Sequence, residues 1–388
     1  MSKPAAPVQY VSARDRDEAS EARVARYVRE FDALGCHRSG TKVERLTCEW
    51  LAGEAAKHGV RCQLRPYSFE RVEPVAGWLE VDGRRIDGLP LFDAAFTDGE
   101  GVTGRLGDLE SEAAVRVAFV EAGHGSGGAR VPRPAGRAVG MVVVTMGDRA
   151  GLCPKNAHAY EQPFGPPTLQ VSSVHAGELA AWARQGRNAR LVASAVRIPA
   201  SGWNVIARIA GVVGSRAPVV VMTPLTGWWH CAAERGGGLA CWLEAIRGLA
   251  GSRPARPAVF IATGGHELGD LGLRRLLAEE PYLERDAFAW VRLGADIGAA
   301  SPGGILLTSP DEGLIEAAQA ELQHAGLSAI VRSSQGSTVR QLLIRGENEF
   351  FHHPDDRWPA SVDAGSLSRQ ATAYAALISS LAGAVGAS

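Results

Sequence analysis

Residues 217–251 read APVVVMTPLTGWWHCAAERGGGLACWLEAIRGLAG, and residues 257–280 read PAVFIATGGHELGDLGLRRLLAEE. Each opens on a short apolar run, passes through a polar turn with glycines, and continues into a longer segment with helical periodicity. The pattern extends downstream. FAWVRLGADIG (288–298) and GGILLTS (303–309) read as strands, and DEGLIEAAQAELQHAG (311–326) as a helix. LSAIVRS (327–333) and RQLLIRG (340–346) are strands, and AGSLSRQATAYAALISSLAG (364–383) is a closing helix. Alternating strands and helices predict an α/β layered domain with a mostly parallel sheet. Sites in such sheets lie beyond the carboxyl ends of the strands. The residues after VVVM, FIAT and RLGA are therefore the ones expected to carry chemistry.

Upstream, residues 20–35 and 42–58 have helical periodicity and are joined by GCHRSGT (35–41). In the second segment Leu46, Trp50, Leu51 and Ala55 share one face. From about 76 to 200 short strand-like runs alternate with Gly, Asp and Pro turns, among them GWLEVDG, GRAVGMVVVTMG and PPTLQVSS. This stretch reads as a separate β-rich module.

Of the 388 residues 46% are apolar, enough for a sizeable core, and 41 basic against 42 acidic residues leave a net charge of −1. That balance offers no electrostatic case for nucleic acid or an anionic membrane. No apolar run reaches the roughly 18 residues of a membrane span. The N-terminal residues lack the apolar core of a secretory signal, so a cytoplasmic location is expected. The six cysteines form no CxxC pair and are expected to be free thiols.

Polar clusters fall at three strand ends and one late loop: Thr223–Gly238, Gly264–Glu267 (GGHE), Gly294–Asp296 (GAD) and Phe351–Asp356 (FHHPDD). They offer Glu234, His266, Glu267, Asp296, His352 and His353. Carboxylates and imidazoles gathered at strand ends are the ligand types of a zinc site. Trp228 and Trp229, in the loop after the first of these strands, are expected on a pocket wall. The plainer readings are an ion pair between Glu234 and Arg235, a helix-start charge at Glu267, turn histidines at 352–353 and a hydrogen-bonded acid at Asp296.

The order of these motifs resembles the zinc aminopeptidase family, which includes bacterial leucine aminopeptidases, glutamate carboxypeptidase and glutaminyl cyclase. The family's motifs run HxD, GAxDDxSG, GEELG, LDMIG and YHTPxD. The resemblance implies a three-layer α/β/α, phosphorylase/hydrolase-like domain with a mostly parallel sheet. Residues 1–89 and 199–388 would form it, with 90–198 as a β-rich insert similar to the protease-associated module.

The departures bear on chemistry. HxD falls on Pro224–Leu225–Thr226, so the first zinc loses its histidine. The bridging aspartate falls on Glu234, followed by Arg235, and the general base falls on His266. Glu267, Asp296 and His352 match ligand or site positions. The resemblance therefore implies at most one zinc ion, held by Glu234, Glu267 and His352, with no cofactor as the alternative. His266, Glu267, Asp296 and Arg235 would be catalytic, and Thr226, Trp228, Trp229 and His353 would line the pocket. The expected activity is hydrolysis of an amide bond in a small molecule or short peptide. Its rivals are a metal-independent enzyme using His266 with Glu267 or Asp296 and Arg235, and a non-catalytic binding protein.

Overall fold

The computed structural model describes residues 13–122, 130–134, 136–301, 303–334 and 339–383. Helices α1 (Ala13–Ala33) and α2 (Lys42–Ala56) come first. Thr41 starts α2 by accepting a hydrogen bond from the Glu44 N–H at 3.3 Å, which satisfies one of the donors that a helix start leaves free. Strands β1 (Cys62–Val81), β2 (Arg84–Pro90), β3 (Val102–Asp108), β4 (Val115–Glu121), β5 (Gly140–Met146) and β6 (Thr168–Val171) follow, then α3 (Ala176–Gln185) and β7 (Asn188–Ile209). The α/β alternation expected beyond residue 203 is present. It runs β8 (Val219–Pro224), α4 (Gly237–Ala250), β9 (Ala258–Thr263), α5 (Leu271–Glu279), α6 (Tyr282–Arg285), β10 (Ala289–Leu293), β11 (Ile305–Ser309), α7 (Glu312–His324), β12 (Ala329–Ser333), β13 (Gln341–Arg345) and α8 (Ala364–Leu381).

The main sheet has the order β1-β7-β9-β8-β10-β13-β11-β12, parallel from β9 through β13. Alternate residues of each strand face opposite layers. Val219, Val221, Phe260, Val291 and Ile344 pack with α1, α2, α4, α7 and α8 in one core. Val220, Met222, Ile261 and Trp290 pack with Leu273 and Leu276 of α5 and Leu283 of α6 in another. This is a three-layer α/β/α domain. Over β10 and β13 the second layer leaves part of the sheet face uncovered, and the cavity described below opens there.

β1 and β7 are longer than the sequence suggested. GWLEVDG is only the end of a 20-residue strand, and ARLVASAVRI continues through NVIARI as one strand of 22. Pro199 hid that continuity. It sits where β7 has β1 beside it but neither β3 nor β9, so its missing N–H breaks no ladder on the open side. The outer halves of β1 and β7 leave the main sheet and close a ring of pairings, β1-β2-β6-β5-β4-β3-β7-β1, around a core that includes Leu79, Val117, Val144 and Leu191. Residues 78–90, upstream of 90, belong to that ring.

The linker 35–41 is pinned by His37. Its ring stacks on Phe31 at 3.7 Å and bonds Thr47 Oγ1 at 2.9 Å and the Phe31 carbonyl at 3.0 Å. Its backbone N–H donates to the Trp229 carbonyl, tying the linker to the loop after β8. Burial pushes the imidazole down from 6.5 to about 3, so the folded chain holds it neutral. The unfolded chain binds the proton below about 6.5, so this stability is complete above that pH and is lost as pH falls toward about 3. We expect His37→Gln to melt below the parent at about pH 8, and the gap to narrow as pH is lowered to about 5. A gap in melting temperature that stays constant over that range would contradict this.

Candidate active site

Beyond the end of β8 the chain makes a tight loop and enters a one-turn π-helix, Ala232–Gly236, before α4. Cys231 starts that turn with φ 57°. Asp356 of FHHPDD caps it: its carboxylate accepts the Ala233 and Glu234 N–H groups at 2.9 Å each. Burial pushes this carboxyl up to about 7 against those two donors. The glycine run after Arg235 is a packing requirement. A Cβ on Gly237 would lie 1.8 Å from the Ile297 carbonyl oxygen, so only glycine lets α4 lie this close to the segment after β10. The close approach places Glu234 and Arg235 beside Asp296.

Glu234 and Arg235 are both buried. Arg235 Nε donates to the Thr226 carbonyl at 2.8 Å and Nη1 to the Glu234 carbonyl at 3.2 Å. Nη2 lies 2.6 Å from Glu234 Oε1 as an ion pair outside hydrogen-bond geometry, and it has no hydrogen-bond partner. Burial alone would raise the Glu234 carboxyl, but the Arg235 cation holds it below the usual carboxylate range. His352 Nδ1 faces the Pro154 carbonyl at 2.6 Å and so carries the proton; Nε2 points at Glu234 Oε1 from 3.5 Å. Burial lowers this imidazole to about 4, leaving it neutral. Both Glu234 carboxylate oxygens and His352 Nε2 lack a hydrogen-bond partner.

Glu267, expected to complete a metal site with these two, is engaged elsewhere. Oε1 accepts the Ser39 N–H and Oε2 the Thr226 hydroxyl, each at 2.7 Å. The linker and the GGHE turn are locked together there, since Ser39 Oγ also accepts the Gly265 N–H at 2.9 Å. Among the described residues no group of three or more His, Cys, Asp or Glu side chains is arranged to hold a metal ion. A zinc site needs three protein ligands with free lone pairs. Here Glu234 and His352 keep unpartnered atoms, but Glu267 is turned to the Ser39 N–H and the Thr226 hydroxyl, and the Arg235 cation stands 2.6 Å from Glu234. The donor set does not fit a resident zinc.

His266 has the opposite character. It follows Gly265, whose φ of 74° ends β9 in a left-handed turn, and its side chain reaches a cavity of about 470 Å³. Nδ1 is 2.6 Å from Asp270 Oδ1, so Nδ1–H donates to the carboxylate and Nε2 is left free toward the cavity. Burial would raise the Asp270 carboxyl, but His266, Arg292 and Arg235 together hold it below its usual range. Asp296 closes another wall with φ 67°. It accepts Asn348 Nδ2 at 3.1 Å, and burial, with Glu234 and Asp356 nearby, raises its carboxyl well above the ordinary value.

Arg235, His266, Asp296 and His352 thus share one cavity. Thr226, Trp228, Trp229 and His353, expected on its wall, do not line it. Thr226 is buried beneath the GGHE turn; Trp229 Nε1 donates to the His352 carbonyl at 2.9 Å; His353 Nε2 lies 3.2 Å from the Ala150 carbonyl. Trp228 packs edge-on against Phe92 and donates to Asn156 Oδ1 at 3.0 Å, so it reaches the cavity only through Asn156. Asp270, Arg292, Arg345 and Lys155 are cavity residues that sequence reasoning missed. Asp270 stands four residues after His266. Arg292 is a charge inside the otherwise apolar strand AWVRL, a readable signal, and Arg345 ends the strand QLLIR.

No family model matches the sequence, and no curated protein matches it. Solved structures do. BSAP, a zinc aminopeptidase from Bacillus subtilis, superposes with a TM-score of 0.71 at 15% identity over 93% of this chain and 94% of its own. A peptidase M28 precursor from Shewanella amazonensis SB2B gives 0.71 at 16%, over 95% and 97%. An aminopeptidase from Aneurinibacillus sp. strain AM-1 gives 0.69 at 15%, over 95% and 94%. The chain has the zinc-aminopeptidase (peptidase M28) fold. No helix of the described residues is long and apolar enough to cross a membrane.

Proposed function

We propose that this protein is a metal-independent hydrolase of an amide bond in a small molecule or short peptide. The observation that carries the reading is the His266–Asp270 pair at 2.6 Å, opening on the same cavity as Arg235 and Asp296. Asp270 orients the imidazole and stabilises its protonated form. Nε2 takes a proton from a water as the water attacks the amide carbon, and returns it to the departing amine. Arg235, a cation on the same cavity wall, would stabilise the oxygen that gains charge in that step. Asp296, whose carboxyl burial raises well above its ordinary value, lines the same cavity. The ring of strands built on β1 and β7, within which residues 90–198 lie, is read as a protease-associated-like insert. Lys155 and Asn156, from that segment, contribute to the cavity wall.

The test is hydrolysis of a panel of dipeptides and N-acyl amino acids by the full chain after exhaustive chelation, followed by release of free amine. Release at a rate well above the uncatalysed reaction is expected. A chain that binds panel members and releases nothing would be a binding protein, and this reading would fall.

A further inference from the structure

The floor of the cavity is one face of the main sheet. Across it the register sets Met222 of β8 beside Arg292 of β10, Arg292 beside Leu343 of β13, and Leu343 beside Thr308 of β11. Arg345 stands two residues beyond Leu343 and so on the same face. All five line the cavity. From strand spacing, the Cα atoms of Arg292 and Arg345 lie about 8 Å apart, within reach of one small anion between their long side chains.

Two arginines on the floor of a cavity are ordinarily matched by acids. These are not. Neither makes an ion pair or a side-chain hydrogen bond with any described residue, and Arg292 Nε is buried without a partner. Asp270 and Glu284 attract Arg292, and Asp296 and Glu347 attract Arg345, only at longer range; Arg332 repels Arg345. Burial pushes both guanidinium groups below their usual range, so holding them charged without a counter-ion is costly. Their fork geometry matches a planar carboxylate bidentately.

We propose that Arg292 and Arg345 form the anchoring subsite for a carboxylate of the ligand, so that the cavity takes a small carboxylate-bearing molecule such as a short peptide's C-terminal end or an N-acyl amino acid. This rests on the assignment of the cavity as the substrate site, but not on hydrolysis taking place there. A carboxylate is favoured over a phosphate because Asp270, on the same cavity wall and acting on Arg292, would oppose a second negative charge.

The experiment is calorimetric titration of the full chain with N-acetyl-L-alanine and with its neutral amide, N-acetyl-L-alaninamide. It is run on the wild type and on His266→Ala, Arg292→Gln, Arg345→Gln and the double arginine variant, with melting temperatures to verify folding. We expect the acid to bind about tenfold or more tighter than the amide, as charge-assisted hydrogen bonds dictate. His266→Ala should keep that preference, each arginine variant should reduce it, and the double variant should abolish it. Equal binding of acid and amide, no binding of either, or a preference that survives in the folded double variant overturns the proposal. If the arginine variants fail to fold, competition in the wild type decides: inorganic phosphate displacing the acid at equal concentration overturns the carboxylate assignment, and failure to displace it supports it. Preference retained in a protein that hydrolyses nothing refutes catalysis alone, whereas hydrolysis without preference refutes the subsite alone.

Discussion

We expect His266→Ala to lower turnover of the best panel substrate by about 10² or more, the range that general acid–base groups contribute. The melting temperature should stay close to that of the parent. The two parts follow from one geometry. The imidazole is part-exposed at the cavity wall, and its ring makes a single hydrogen bond to a protein side chain, at Asp270. Removing it opens no core void and orphans no buried group, because Asp270 is itself partly exposed to water. A histidine that only filled space would show the reverse pattern, lost stability with an unchanged rate in whatever remains folded. Asp270→Asn is the companion variant. It keeps the shape, loses the charge that favours imidazolium, and should lower turnover by about tenfold or more through His266. Steady-state rates and melting curves on both variants separate the readings. An unchanged rate constant in folded His266→Ala removes this residue from the mechanism.

The second large effect is on stability. Arg235→Met leaves the Glu234 carboxylate fully buried beside a neutral His352, with no cation against it. Breaking a buried pair by removing one partner costs about 3–5 kcal/mol, because the remaining charge is uncompensated. The Thr226 and Glu234 carbonyls lose their donors in the same step. Glu234→Gln in the same background removes the stranded charge, and the double variant should recover much of the loss. Urea unfolding of the two single variants and the double variant gives the coupling. A loss below about 1 kcal/mol for Arg235→Met would mean that the pair does not hold the strand-end turn in place.

The main domain was legible because its strands are apolar runs bounded by turn residues. VVVMTP, AVFIAT and AWVRL form β8, β9 and β10, and the polar residues after them meet where the sheet topology places a site. The long β1–β7 ribbon was not legible, since Pro66, Pro74 and Pro199 punctuate strands whose open sides make proline tolerable. The carboxylate at Glu267 was legible as a strand-end acid, but its partner was not. Ser39 lies 228 residues away, and only the docked linker shows that both oxygens are taken. Asp270 was overlooked because its pairing depends on a turn in which Gly265, Gly269 and Asp270 itself all have positive φ. No periodicity rule encodes that geometry.

On the proposed mechanism Arg235 and the His266–Asp270 pair, with no metal ion, activate the water and stabilise the charge that develops on the amide oxygen. The decisive measurement is metal content by elemental analysis on the same sample whose hydrolysis rate is recorded, before and after chelation. Far less than one equivalent of transition metal per chain is expected, with a rate that chelation leaves unchanged. About one equivalent of zinc, whose removal abolishes turnover and whose return restores it, would refute a metal-independent mechanism.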